Sequence, residues 1–346
     1  MKAIATRPKQ LGLSLIELMI ALTVGLVMTG AVIQVYVQTS ASYQLQDELS
    51  YIQENGRYAL SEIVKELRMA GYSSCGGGAK VANSVESSAN VNFSYGLIGY
   101  SVDSTDSTVA TGAIPVSNYP SLLNSAWDGT DALQIYKGDP NSALYVTSHV
   151  PASATIHIKG THAYLRDTIL LIADASCSQI GIFSVSGPTN NSANANHIVH
   201  NTGSPGSIDN CTKKLGGNFT CATGTAEDKE YGKGSRVLSV DGVLFYIRNS
   251  GNDAATPGLY RKDLDNATEE EVVQGVEDMV ILFGLDTDGD GVANQYLTAR
   301  NVQEDQWSNI MSARVTLTLR SRSTVDGVFV RKTLSATTKI RNRGGE

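Results

Sequence analysis

The chain lacks the short signatures that would mark it as an enzyme. It contains no G-x-x-x-x-G-K-[ST], so no phosphate-cradling loop, and neither H-E-x-x-H nor G-x-S-x-G occurs. Of its five histidines, His149, His157, His162, His197 and His200, the closest pairs fall in stretches that read as exposed loops, and most are expected to be ordinary surface residues. No C-x-x-C is present among the four cysteines, which leaves a zinc or redox site without support. Positive charge is also short: 27 Lys plus Arg stand against 34 Asp plus Glu, a net charge of -7. A chain of that balance has no concentrated basic face, and direct nucleic-acid binding is not expected. Proline is scarce, 8 in 346 residues, and none lies between Pro8 and Pro115. A long N-terminal stretch is therefore free of the strongest helix breaker. Apolar residues are plentiful at 41% against 18% charged, enough for a core and against disorder.

The N-terminus carries the clearest pattern. Residues 1–12, MKAIATRPKQLG, hold Lys2, Arg7 and Lys9 and no acid. From Leu13 to Val37 the chain is almost wholly apolar, with Glu17 its only charge, and a helix of about 20 residues suffices to cross a bilayer core. The basic flank places the N-terminus in the cytoplasm and everything after about residue 38 outside. A secretory signal has a shorter apolar region, of about 7–15 residues, ending in a small-residue site, whereas here Gly12 precedes the run. The helical pattern also continues past the membrane. Leu45, Leu49, Ile52, Ala59, Ile63, Leu67 and Ala70 recur at helical intervals and predict an amphipathic segment that stops at Gly71.

Glu17 sits where an acid is costly, roughly 2.5–3.5 kcal/mol at the centre of a membrane helix and less toward an end. Near the cytoplasmic interface it would be solvated; deeper, it favours any assembly that supplies a cation. A basic leader, Gly12, then L-S-L-I-E-L-M-I-A-L resembles a type IV prepilin. That resemblance implies cleavage between Gly12 and Leu13 by prepilin peptidase and N-methylation of Leu13. It further implies that Glu17 pairs with the N-terminal amine of a neighbouring subunit. Leu13 replaces the Phe more common at that place.

Further blocks resemble PilW-type minor pilins in order: Gln53–Gly76, Thr168–Val185, Val272–Tyr296, then Trp307 and Ala313–Ser323. The resemblance implies an α+β, pilin-like fold without enzymatic activity, in which one long N-terminal helix packs on a largely antiparallel β head. The divisions are a leader (1–12), a transmembrane and assembly helix (13–37), its amphipathic continuation (38–71) and a β-rich extracytoplasmic head (72–346). It implies a minor pilin that helps initiate type IV pilus assembly, at the filament tip, supporting adhesion, twitching motility or DNA uptake. Partners would be other minor and major pilins, a tip adhesin and the inner-membrane assembly platform, with the chain moving from the bacterial inner membrane to the surface pilus. A minor pseudopilin of type II secretion is the alternative, and a membrane-anchored envelope enzyme or binding protein a third class.

From the residues themselves, Ile169–Ala173, Arg236–Val240, Val243–Asn249, Met279–Leu285, Arg314–Arg320 and Val328–Lys339 read as strands, with Asp241-Gly242 as a hairpin turn. Residues 78–165 and 186–235, rich in Ser, Asn, Gly and Thr, read as loop insertions. Cys75, Cys177, Cys211 and Cys221 follow the membrane segment, where disulfides form, and allow three pairings. The ten-residue spacing in a Gly/Asn-rich loop favours Cys211–Cys221, leaving Cys75–Cys177; each bridge is worth roughly 2–4 kcal/mol. Asp286-Thr-Asp288-Gly-Asp290-Gly291 matches the first half of a calcium loop. Val292 would offer a carbonyl and Asn294 its side chain, but Leu297 stands where a bidentate Glu belongs. A structural Ca2+ on Asp286, Asp288 and Asp290, completed by Glu277 or Asp305, competes with a solvated acidic turn.

Overall fold

The computed structural model describes residues 14–86, 96–102, 126–188, 195–203, 206–251, 256–264 and 268–343. The chain divides into two compact units, Met1–Tyr51 with Ser321–Val330, and Ile52–Arg320 with Arg331–Glu346.

Helix α1 spans Leu15–Met69, 55 residues, and gives way at Gly71, whose φ of 69° is the left-handed conformation that closes helices. Within the first unit every residue from Ser14 to Ser40 is exposed. Burial begins later than the apolar stripe suggested: Leu45 is exposed and Leu49 half-buried, while Glu48 is buried. Within the second unit Ile52, Ala59, Leu60, Ile63 and Leu67 are buried on one helix face. Gly56 lies on that face, where a Cβ would come 2.4 Å from Leu334 Cδ1 and 3.1 Å from Leu319 Cδ1. A glycine in mid-helix costs about 1 kcal/mol relative to alanine, and close approach to the strands is the physical reason for one here.

Fifteen strands follow among the described residues. They are β1 (Lys80–Asn83), β2 (Leu97–Ser101), β3 (Asp131–Gly138), β4 (Leu144–Val150), β5 (Thr155–His162), β6 (Ile169–Ala173), β7 (Gln179–Ser184) and β8 (Ala195–Val199). After these come β9 (Arg236–Asn249), β10 (Pro257–Asp263), β11 (Glu269–Gln274), β12 (Val276–Leu285), β13 (Gln295–Thr298), β14 (Ile310–Val325) and β15 (Val328–Lys339). The first eleven form one sheet in which β9 is the hub, pairing with β6 and β4 at its start, then β3, then β10. Its path runs β1-β7-β6-β9-β4-β5-β8, and β1 and β7 make a parallel pair. The second sheet has the order β13-β12-β14-β15. One core lies around Ile156, Leu170, Phe183, Ile198 and Val237, and another around Leu171, Ile182 and Leu238.

Three expectations need correction. Asp241-Gly242 is not a turn: β9 runs straight through it, with Asp241 opposite Lys137 and Gly242 opposite Tyr136. The glycine serves close packing there, since a Cβ would meet Tyr136 Cε1 at 2.7 Å. Residues 78–165 are not loop throughout, for they contain β1 to β5, and 186–235 contains β8. In β5 the alternation Thr155-Ile156-His157-Ile158 sends only the isoleucines inside. Hydroxyl and imidazole side chains on the other face made these strands look like loop in composition.

Candidate functional site

Of the residues expected for prepilin processing and assembly, Gly12 and Leu13 lie outside the described residues, whereas Glu17 stands in the first turn of α1. Ser14 precedes the helix. Its backbone N–H and its hydroxyl both donate to Glu17 Oε2, at 3.0 and 3.2 Å, and Glu17 N–H donates back to Ser14 Oγ at 3.2 Å. This is a capping box, legible in the spacing S-L-I-E. Within the single chain the carboxylate therefore holds otherwise orphaned helix-start donors and complements the positive helix end.

Beyond Glu17 the helix presents an apolar surface on every side. Leu15, Leu22, Leu26, Val27, Met28, Val32 and Tyr36 are all more than 60% exposed, far more apolar surface than a soluble monomer leaves in water. The two threonines in the run are satisfied internally: Thr23 donates to Ile20 O at 2.9 Å and Thr29 to Gly25 O at 2.8 Å. That satisfaction is what a hydrocarbon surrounding demands. α1 is long and apolar enough to cross a membrane, the single such helix among the described residues.

The acidic loop joins β12 to β13 in the second sheet. Oxygen atoms of Asp286, Asp288 and Asp290 lie within 4.8 Å of one another. Asp286 is buried and serves as the pivot of the turn, its Oδ1 accepting Gly289 N–H at 2.7 Å and Asp288 N–H at 3.2 Å. Its Oδ2 accepts Gly291 N–H at 2.8 Å. Desolvation would raise this carboxyl's pKa, but the three backbone donors outweigh it and hold the pKa below the usual aspartate value. Gly289 and Gly291 take φ of 81° and 79°, which lets the backbone fold over the carboxylate. Asp288 and Asp290 are exposed. A cleft of about 300 Å³ beside the turn is lined by Asp286, Asp290, Asn309 and Met311 among others.

Of the expected completers, Glu277 is engaged elsewhere: Arg331 grips it with two hydrogen bonds of 2.6 and 3.0 Å. Asp305 does not join the oxygen cluster. Asn294 Oδ1 accepts both the N–H and the hydroxyl of Thr287, at 2.9 and 3.0 Å, so that amide stitches the loop.

The cysteines are paired as Cys75–Cys177 and Cys211–Cys221, with Cα separations of 5.3 and 5.9 Å. The histidines depart from expectation. His149 and His200 are buried, and their Nε2 atoms lie 3.1 Å apart. Tyr231 N–H donates to His149 Nδ1 at 3.3 Å, so His149 carries its proton on Nε2 and donates it to His200. His200 is left with its proton on Nδ1, which has no partner among the described residues. Desolvation drives both pKa values down, to about 4 for His149 and about 3 for His200. His157 and His197 sit across from each other on β5 and β8, and His162, whose Nδ1 accepts Tyr164 N–H, donates from Nε2 to His197 O at 2.9 Å. No sequence signal distinguished the buried pair, because the two residues come from segments 51 positions apart.

Comparison with known families agrees with this geometry at both ends. Residues 7–33 match the prokaryotic N-terminal methylation motif, and residues 244–341 match the family described as Type IV Pilus-assembly protein W. The second match runs from within β9 to the end of β15, so it takes in the whole second sheet and the acidic loop. The blocks Gln53–Gly76 and Thr168–Val185 lie outside it. No curated protein and no solved structure matches the chain. An apolar helix opening on Ser14 and Glu17 within a methylation motif, and continuing into a β domain, defines a membrane-anchored, prepilin-type protein. More particularly, its matches are to the type IV pilus PilW family and to the prepilin-type motif, which support a type IV pilus-related minor pilin and point to a structural role.

Proposed function

We propose that this minor pilin takes part in initiating type IV pilus assembly at the filament tip, beside other minor pilins and on the inner-membrane assembly platform. Prepilin peptidase removes residues 1–12 on the cytoplasmic face and the new amine of Leu13 is methylated. The observation that carries this reading is the wholly exposed apolar helix whose first turn holds a carboxylate. In the bilayer that surface is solvated by lipid; in a filament it is solvated by the same surface of neighbouring subunits. Glu17, which already faces the N-terminal end of its own helix, is placed to accept a neighbour's amine and so set the axial register. The β head then selects partners, including a tip adhesin, and supports adhesion, twitching motility or DNA uptake. The match over the second sheet favours a pilus role over a pseudopilin of type II secretion.

Intact mass of the membrane-extracted protein, made with and without prepilin peptidase, tests the first step. The expected result is peptidase-dependent loss of residues 1–12 and gain of one methyl group; an uncleaved chain defeats the mechanism built on Glu17. Gene deletion separates the two roles, with loss of surface pili expected and loss of exoprotein secretion alone pointing to the pseudopilin.

A structural Ca2+ in the acidic loop is also proposed. Its support is the meeting of three hard carboxylate donors, two of them exposed, over backbone that glycine folds tightly. Asp286 would lend the lone pairs not taken by backbone N–H groups, with Asp288 and Asp290 as the mobile ligands. Millimolar calcium is expected to raise the thermal midpoint of the full chain in detergent, and Asp288→Ala to remove the effect. An unchanged midpoint and no heat of binding in calorimetry would sink the idea.

A further inference from the structure

The first unit contains, besides the exposed half of α1, the hairpin tip Ser321–Val330 that joins β14 to β15. This tip is fastened to the helix by a compact set of bonds. Buried Glu48 accepts Arg322 N–H at 2.9 Å on Oε2 and the Ser323 hydroxyl at 2.7 Å on Oε1. Arg322 Nη2 donates to Asp47 at 2.9 Å, and its guanidinium lies 4.4 Å from the centre of the Tyr51 ring. One helical turn earlier, Gln44 Nε2 reaches Thr324 O at 3.4 Å. Each residue gained along β14 therefore moves the contact toward the start of the helix.

Extending that progression by two strand residues brings Asp326-Gly327 level with Ser40 and Ala41. Ala41 is half-buried, whereas every residue from Ser14 to Ser40 is exposed, so the cover over the helix ends there. The apolar run ends at Val37, four residues away, or about 6 Å along the axis. A bilayer is about 40–45 Å thick around a core of about 30 Å, which leaves a headgroup layer of about 5–8 Å on each side. If Glu17 marks the inner boundary, residues 18–37 fill the core and the hairpin tip falls within the outer headgroup layer. Its chemistry suits that layer. Val328 is 63% exposed at the turn, next to half-buried Val325, Phe329 and Val330, among polar Ser323, Thr324 and Asp326.

We propose that, before assembly, the tip Thr324–Phe329 docks on the lipid headgroups of the membrane that holds α1. Val328 inserts at the interface and the Arg322–Glu48 clamp fixes where along α1 the tip is held. This rests on the reading that residues 13–37 cross the membrane. No single sign of charge dominates the tip, so zwitterionic lipid is sufficient.

The test uses the full chain in phosphatidylcholine vesicles containing lipids brominated at known depths, with tryptophan emission as readout. Wild-type protein gives the background from Trp127 and Trp307. Val328→Trp is expected to show blue-shifted emission that is lost to bromines near the headgroup more than to bromines deep in the chains. Val27→Trp, at mid-span, is expected to be quenched most by the deep bromines. Quenching of Val27→Trp with no response from Val328→Trp overturns the docking proposal while the anchor stands. If neither responds, the membrane-spanning reading fails and the proposal with it. Emission from Val328→Trp that shifts only when pilin subunits are added would make the tip a protein contact, again overturning lipid docking.

Discussion

The buried pair His149 and His200 is the clearest case in which one residue's environment, rather than its type, decides its behaviour. Both are held neutral in the folded chain at about 4 and about 3, below the ordinary histidine value of about 6.5. Between those values the unfolded chain binds the extra protons, so stability is complete above about pH 6.5 and falls as pH drops toward 4. Each histidine removes about 1.4 kcal/mol per pH unit within that window. The groups facing the pair are the Tyr231 ring, the Phe183 ring and, at longer range, Lys213, none of which supplies a counter-charge for an imidazolium. Thermal midpoints measured from pH 7 to pH 5 are expected to fall for the native protein, and less steeply for His149→Gln. Equal slopes for the two proteins would count against this account. Nothing in the sequence announced the pair, because a histidine in β4 and another after β8 look like any two polar residues until the sheet brings them together. Glu17 was the opposite case: type, spacing and neighbours marked it, and the S-L-I-E pattern carries its bond to Ser14 as well.

At the scale of elements, the helix was legible because an unbroken apolar run passes, with no proline between, into a stripe at helical intervals, with a glycine to stop it. β6 and β15 were legible to their end residues, since aliphatic runs and alternation survive wherever a strand faces a core. β4 and β5 were hidden by outward Ser, Thr and His, and β9 was cut in two by an Asp-Gly that packs instead of turning. The helix end shows why local sequence underdetermines such junctions. Gly71 lies against Gly96, where a Cβ would stand 2.6 Å from Gly71 Cα and 2.7 Å from Gly71 N, and Gly96 has a φ of 59°. Gly96→Ala therefore adds a backbone clash to left-handed strain and is expected to cost about 2 kcal/mol or more. Gly76→Ala, with open space at its Cβ, is expected to stay within about 0.5 kcal/mol. Urea midpoints of the two variants would decide it, and similar values would mean the junction relaxes freely.

For the whole molecule, the family matches fall at residues 7–33 and 244–341, with most of the first sheet between them. The likeness thus lies both in the apolar helix and in the part of the head that holds the second sheet. Membrane insertion and processing depend on a linear run of residues, whereas the histidine pair and the hairpin clamp depend on chain segments far apart in sequence. Cys75 lies six residues beyond Met69 and is bonded to Cys177, 102 positions further on. Tension entering along the helix therefore has a covalent detour into the start of β7 and bypasses the intervening chain. However such a load arises, residues 76–176 cannot lengthen as slack while that bond is intact.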